Sequence, residues 1–360
     1  MSVAESEHSA PAEAVTSHAV RDRSQGVAAN NVGRSIALVV AILALLLICV
    51  LSLMVGARAI SPGTVWAALF SPDGSDEHVM IRELRVPRTV MGLVVGPALG
   101  LCGALIQAFT RNPLADPGIL GVNAGASFVV TFAVGVLGIT APAQFVWFAI
   151  LGAFVVTVLV YAIGSVGAGA ATPVKLTLAG VALSAVLGGF TSAIVLKSTD
   201  TLDVMRFWGV GSIGGRALDI LPATLPIIVV GLILGLATAR SLNALALGDD
   251  LARSLGVTIG RTRIVVIIAV TLLAGTAVAI AGPIGFVGLM VPHVVRWFVG
   301  TDQRWILTMS LVVAPILLIA SDIVARIILP SGELRVGLVT ALIGAPVLIA
   351  LVRRRGVSAL

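Results

Sequence analysis

Continuous apolar runs of about 20 residues recur along almost the whole chain, and no other feature limits its fold as strongly. As an α-helix, a run of that length crosses the ~30 Å hydrocarbon core of a bilayer. The runs fall at 35–55, 89–110, 117–138, 142–165, 173–196, 220–239, 264–281, 283–299, 306–323 and 336–352. They do not alternate apolar with polar residues, so they read as helices and not as strands of a barrel. Only 11% of the 360 residues are charged while 58% are hydrophobic, too few polar side chains to cover a soluble globule. The expectation is an all-α polytopic membrane protein with about ten transmembrane helices.

The flanks are different polymers. Residues 1–34 lack apolar periodicity and read as a disordered cytoplasmic tail. Residues 35–352 form one transmembrane domain, and 353–360 a short basic cytoplasmic tail. Placing both termini in the cytosol puts the whole net charge of +6 on the inner face. The loop between the sixth and seventh spans, with Arg240, Arg253, Arg261 and Arg263, is the strongest vote for that orientation. Scattered arginines do not form a nucleic-acid stripe, and Cys49 and Cys102 make neither a disulfide framework nor a metal site.

Gly92, Gly96 and Gly100 repeat at the four-residue spacing that lets helix backbones approach closely in lipid, which predicts a tightly surrounded central helix. Pro113 and Pro117 break the loop after that helix, where Asn112 and Asp116 can satisfy freed backbone groups. A plain turn and a gate element are equally good readings of that loop. Residues 248–256 hold Asp249 and Asp250 at a helix start, Leu251 and Leu255 on one face, and Gly256 at the end. A helix too short to span, with an exposed apolar face, reads as a docking element for a soluble partner. Asp322 and Arg326, four apart in the ninth span, are either a functional pair or a self-neutralising structural one.

Other patterns carry no chemistry. Gly209, Gly211 and Gly214 match a dinucleotide fingerprint without the strand that must precede it, and neither Lys175 nor Lys197 lies in a P-loop. His293 reads as a polar residue at a helix end. No catalytic or metal-ligand set stands out, so an intramembrane enzyme is disfavoured. An ion-coupled secondary transporter is the stronger rival, but its usual unpaired midplane acids are missing, since Asp322 lies within reach of Arg326.

The chain resembles the permease subunits of the FecCD/BtuC-like family, ABC importers of iron(III)-siderophores, haem and cobalamin. The likeness runs from about residue 58 to 355 and rests on several motifs in order. They are Arg85-Val-Pro-Arg88, Gln107 with Arg111-Asn-Pro-Leu-Ala, Leu178-Ala-Gly180, and Leu242-Asn243 with Leu247-Gly248 and Leu255-Gly256. Gly282-Pro-Ile-Gly-Phe through Pro292-His293 and Arg296, then Asp322 with Arg326, and Gly344-Ala-Pro346 complete the series. The resemblance implies a BtuC-like fold in the inner membrane, a second permease subunit, two cytosolic ATPases that hold ATP and Mg, and an extracytoplasmic binding protein. No cofactor and no metal would be bound by this chain. It further implies that Gly248, Asp249, Asp250, Leu251, Arg253, Leu255 and Gly256 couple to the ATPase. Arg85, Arg88 and Arg326 would meet acidic residues of the binding protein, and Asn112, Pro113, Leu114, Thr172, Pro173 and Val174 would lie at the cytoplasmic gate. Glu333-Leu334-Arg335 departs from the family's Glu-Leu-Pro, and Gln303 replaces a frequent His. Pro173 and Val174 stand where small hydroxyl residues can occur.

Overall fold

A computed structural model describes residues 27–28, 30–166, 172–215, 218–329 and 332–354. Most of the expected N-terminal tail (1–26) and the end of the basic C-terminal tail (355–360) lie outside the described residues. All regular structure among the described residues is helical. The first half of the chain forms α1 (Asn31–Met54), α2 (Pro62–Phe70), α3 (Asp76–Val79) and α4 (Val86–Thr110), followed by α5 (Val122–Gly135), α6 (Pro142–Gly164) and α7 (Pro173–Val195). The second half forms α8 (Thr199–Trp208), α9 (Leu221–Ala237), α10 (Ala239–Ala246), α11 (Asp249–Ser254), α12 (Ile259–Ala281), α13 (Val287–Val299), α14 (Gln303–Ile327) and α15 (Val336–Arg354). A π-turn over Met80–Arg85 joins α3 to α4 without a break.

Helix α4 is the axis of the molecule, enclosed by α9, α12, α13 and α14. The expected small-residue face is what permits this. A Cβ on Gly96 would lie 2.5 Å from the Pro315 Cα of α14, and one on Gly100 would overlap Ala314 and the Ser310 carbonyl. Gly103 extends the same device to α13, where it abuts the backbone of Gly288. Backbones at this separation gain dispersion contacts, the main association force left once the surroundings are as apolar as the side chains. By contrast α1 and α7 are exposed along most of their length, with only Ala41 and Ser52 buried in the first and Leu176 and Gly180 in the second.

Seven helices among the described residues have the length and composition to cross a membrane. Two of the expected spans are shorter: Val122–Gly135 and Val287–Val299. The causes are local. Asp116 and Pro117 turn the start of the third run into a 3₁₀ turn, Pro117–Leu120, which ends at Gly121 with φ 75°. α5 therefore begins at Val122 and rises only about 21 Å. In the eighth run Gly282 (φ 74°) and Pro283 cannot continue a helix, and Phe286 takes φ 68°, so α13 begins at Val287. At the other boundary the helix wins: α1 starts at Asn31, inside the expected tail, because Asn30 caps it by accepting from Gly33 N at 2.8 Å. Val27 and Ala28 donate backbone hydrogen bonds to Trp297 and Phe298 carbonyls at the end of α13.

The packing of α4 can be checked with two substitutions. Gly100→Ala forces a Cβ into Ala314 and is expected to cost about 1–3 kcal/mol. Gly260→Ala, in α12 with nothing within 4 Å of the new atom, is expected to be neutral or stabilising by up to about 1 kcal/mol. Thermal unfolding of the detergent-solubilised protein reads both.

Candidate functional site

Two ion-paired networks sit at opposite ends of α4, and the chemistry-bearing residues divide between them. The first is at the end where α4 starts. Asp322 on α14 pairs with Arg326 Nε at 3.1 Å and with Arg88 Nη1 at 3.8 Å, and Arg88 also pairs with Glu333. Arg326 then reaches α1, donating to Ser52 O and Ser52 Oγ at 3.0 Å each, while Ser52 Oγ and Thr89 Oγ1 are 2.8 Å apart. Arg85 is turned inward too, donating to the Leu53 carbonyl at 2.7 Å and to the Arg58 carbonyl.

Arg85, Arg88 and Arg326 do gather at one end, but Arg85 is 4% exposed and Arg326 3%, so they are not surface charges. Their guanidinium groups satisfy carbonyls and hydroxyls of α1 and its following turn, which a buried cation requires. The Arg88 side chain keeps 14% exposure beside the more open Glu333. Asp322 and Arg326 form a buried pair that also anchors α1. The exposed features near this end are Arg82 and Glu83 on the π-turn, and Phe207 of α8, whose ring lies 5.0 Å from both the Arg206 and the Arg335 guanidinium. His78 pairs with Asp73 at 2.7 Å in the same region.

The second network is at the end where α4 stops. Arg111 ends the helix in the left-handed conformation, φ 51°, and its side chain pairs with Asp249 at the start of α11. Arg263 of α12 pairs with the other Asp249 oxygen at 2.9 Å. Helix α11 has the expected position and is six residues long, bounded by Gly248 (φ 110°) and Gly256 (φ 81°). Both glycines hold backbone conformations that side chains resist, which fixes the sharp entry and exit of so short a helix. Ala252 is buried, whereas Leu251 and Leu255, four apart, are exposed, Leu247 is exposed just before the turn at Gly248, and Asp250 pairs with Arg253 at 2.8 Å. Nearby, Asp302 caps α14, accepts from Asn243 at 2.7 Å and faces Arg34 at 3.9 Å.

The loop after Arg111 is an Asx turn, with Asn112 Oδ1 accepting from Leu114 N at 2.9 Å. Pro113 and Leu114 face a groove with Leu289, Met290 and His293 of α13 and with Gly344 and Val347 of α15. His293 lies buried in the middle of α13 and not at a helix end, with its ring edge-on to Trp297 at 5.4 Å. Thr172 caps α7 by accepting from Lys175 N at 3.4 Å, Pro173 follows as the first helical residue, and Val174 is exposed. Of the two expected gate segments, one is set against α13 and α15 and the other opens α7. The 3₁₀ turn that follows the first also packs on α7, its Ile119 carbonyl abutting Gly180.

A link that sequence reading missed crosses the apolar interior. Gln107 Nε2 donates to the Gly288 and Leu289 carbonyls at 3.2 and 3.0 Å, and Arg296 donates to Gln107 Oε1 at 2.7 Å. These carbonyls belong to the first turn of α13, and Gln107 comes from the helix beside them. The visible signal was a lone amide in an otherwise apolar run.

Long apolar helices around a close-packed axis, with ion pairs at its two ends, define a polytopic helical membrane protein. The model of the FecCD transport family matches residues 43–354, and the chain belongs to that family. It is 47% identical over 325 residues to the ferric enterobactin transport system permease protein FepD of Escherichia coli, covering 90% of this chain and 97% of the relative. It is 42% identical to the probable siderophore transport system permease protein YfiZ of Bacillus subtilis, covering 89% and 96%, and 40% identical to the cobalamin import system permease protein BtuC of Halobacterium salinarum, covering 79% and 76%. A solved structure described as an inward-facing metal-chelate type ABC transporter superimposes with a TM-score of 0.78 at 28% identity, covering 89% of this chain and all of that one.

Two outcomes are expected of these networks. Arg326→Ala leaves Asp322 buried without its closest partner and should destabilise the protein by about 3–5 kcal/mol in thermal unfolding. Adding Asp322→Ala should recover part of that loss. Burial pushes the Asp116 carboxyl up, opposed by the Gly118 N–H it accepts from at 2.8 Å. A group whose folded value is raised favours folding more as pH falls. Asp116→Asn keeps the acceptor and removes the charge, so it should raise the melting temperature at neutral pH and narrow its gain on acidification, whereas Asp116→Ala should lower it.

Proposed function

We propose that this chain is the permease subunit of an ATP-driven importer for an iron(III)-siderophore. The observation that carries the reading is the 47% identity, over nearly the full length of both chains, to a permease named for ferric enterobactin. The chain would span the cytoplasmic membrane with both termini in the cytosol and pair with a second permease subunit. It would do no covalent chemistry and bind no cofactor. ATP and Mg would be held by two cytosolic ATPase subunits.

In this reading Gly248 to Gly256 is the element the ATPase grips, through its outward side, with Asp249 turned inward to Arg111 and Arg263. The exposed apolar stripe of Leu251 and Leu255 supports it, since an apolar face on a short solvated helix gains stability only when covered. Asp250 and Arg253 flank the stripe and would orient the contact. At the opposite end Arg88 and Glu333, with Arg335 and Phe207 beside them, would receive the extracytoplasmic binding protein, while the buried Arg85 and Arg326 hold that surface in place. Asn112, Pro113 and Leu114, and Thr172, Pro173 and Val174, would form the cytoplasmic gate. Asn112 to Leu114 and Thr172 lie outside the helices, and Pro173 and Val174 are in the first turn of α7, so a change of conformation there breaks few hydrogen bonds.

Substrate choice is tested by uptake in a strain lacking this chain and complemented with it. Complementation should restore accumulation of radiolabelled iron supplied as a siderophore complex and leave haem and cobalamin uptake unchanged. Restoration of cobalamin or haem uptake alone would refute the substrate assignment.

A further inference from the structure

The acids that open α11 do different jobs. Asp250 is fully exposed and pairs only with Arg253 of its own helix among the ion pairs described. Asp249 turns inward, and its two oxygens are split between elements: Oδ1 takes Arg111 and Oδ2 takes Arg263 at 2.9 Å. One carboxylate therefore ties three pieces of chain together: the short helix, α12 near its start, and the end of α4 where the 112–114 loop begins. Because the two donors approach different oxygens, the carboxylate cannot move far without losing one of them.

The pair is poorly suited to a purely stabilising role. Arg111 and Asp249 side chains are 38% and 30% exposed, and ion pairs this open to water contribute only about 0–1 kcal/mol. Arg111 moreover sits at φ 51°, a left-handed conformation that costs a non-glycine residue about 1–2 kcal/mol. It is held there by amide bonds from Arg111 N to Ala108 O and from Asn112 N to Gln107 O at 3.4 and 3.2 Å. The backbone that starts the loop thus sits in a strained, replaceable conformation, and the side chain at that very residue is gripped by α11. A switchable element needs both features.

We propose that Asp249 is a positioning residue that transmits movement of α11 through Arg111 to the 112–114 loop, with Arg263 holding it against α12. The proposal rests on the reading of α11 as the ATPase contact. Displacing α11 would pull Arg111 with it and release the left-handed turn; in the resting arrangement the same bridge keeps the loop as it is. The contact runs directly from helix to loop and needs no intervening residues.

The test uses the assembled importer, permease with its ATPase and binding protein, in proteoliposomes supplied with an iron(III)-siderophore. Asp249→Asn should keep the ATPase bound in co-purification and keep ATP hydrolysis within about twofold, while chelate transport falls about tenfold, the scale of a coupling free energy between sites. Arg111→Gln should do the same, and the double variant should be no worse than either single one, because both remove one link. Arg261→Gln, an exposed charge on the same face, should transport as the unaltered protein does. Transport by Asp249→Asn at the normal ratio of chelate to ATP would overturn the proposal. So would a proportional loss of transport and hydrolysis, which would make Asp249 a mere support for the loop. If the unaltered chain bound no ATPase, the reading beneath the proposal would fall, and that result is distinct from either of the others.

Discussion

Everything in this protein is built on the contact between the glycine face of α4 and the backbones of α14 and α13. In lipid the hydrophobic effect does not drive helices together, so association depends on how closely backbones can approach. Gly96 against Pro315, Gly100 against Ser310 and Ala314, and Gly103 against Gly288 bring three helices to a separation that any larger residue would prevent. Around that axis α9 and α12 close the core, while α1 and α7 keep broad exposed apolar surfaces.

A dry axis has a consequence for charge. The ion pairs of α4 and its neighbours lie at the two ends, while the buried Arg296 of α13 is met by the Gln107 amide. At one end Asp322 sits between Arg326 and Arg88, and Arg326 and Arg85 are further satisfied by carbonyls of α1 and the turn after it. At the other Asp249 sits between Arg111 and Arg263. The two sets differ in burial, and that difference fits different work. The first is enclosed and fixes α1 to the bundle; the second is half-open to water, cheap to rearrange, and lies between a surface helix and a loop.

Much of the fold was legible in the sequence because lipid imposes a simple rule. The apolar runs at 142–165 and 173–196 matched α6 and α7 closely, since a proline that suits a first helical turn opens each of them. Where backbone geometry intervened, the reading slipped. Gly282, Pro283 and Phe286 shortened the eighth span, and the Asp116 cap with Pro117 shortened the third. The small helices α2, α8 and α10 carry no 20-residue run and so left no mark. The short helix at Asp249 was visible because its acids, leucines and glycines each have a local meaning. The burial of Arg85 and Arg326 was not: their partners Ser52, Leu53 and Arg58 lie far away in the chain, and no local pattern announces a carbonyl that will accept from a distant guanidinium. The same holds for Gln107 and Arg296, whose roles depend on which carbonyls of α13 come to rest beside α4.

The central claim is that this chain moves its cargo only when a partner hydrolyses ATP. Proteoliposomes containing the chain with its second permease subunit and binding protein, loaded with or without the ATPase and ATP, test it directly through uptake of radiolabelled iron-siderophore. The account predicts uptake only with both ATPase and ATP present, and none from a proton or sodium gradient alone. Gradient-driven uptake without the ATPase would contradict it and make the protein an ion-coupled transporter.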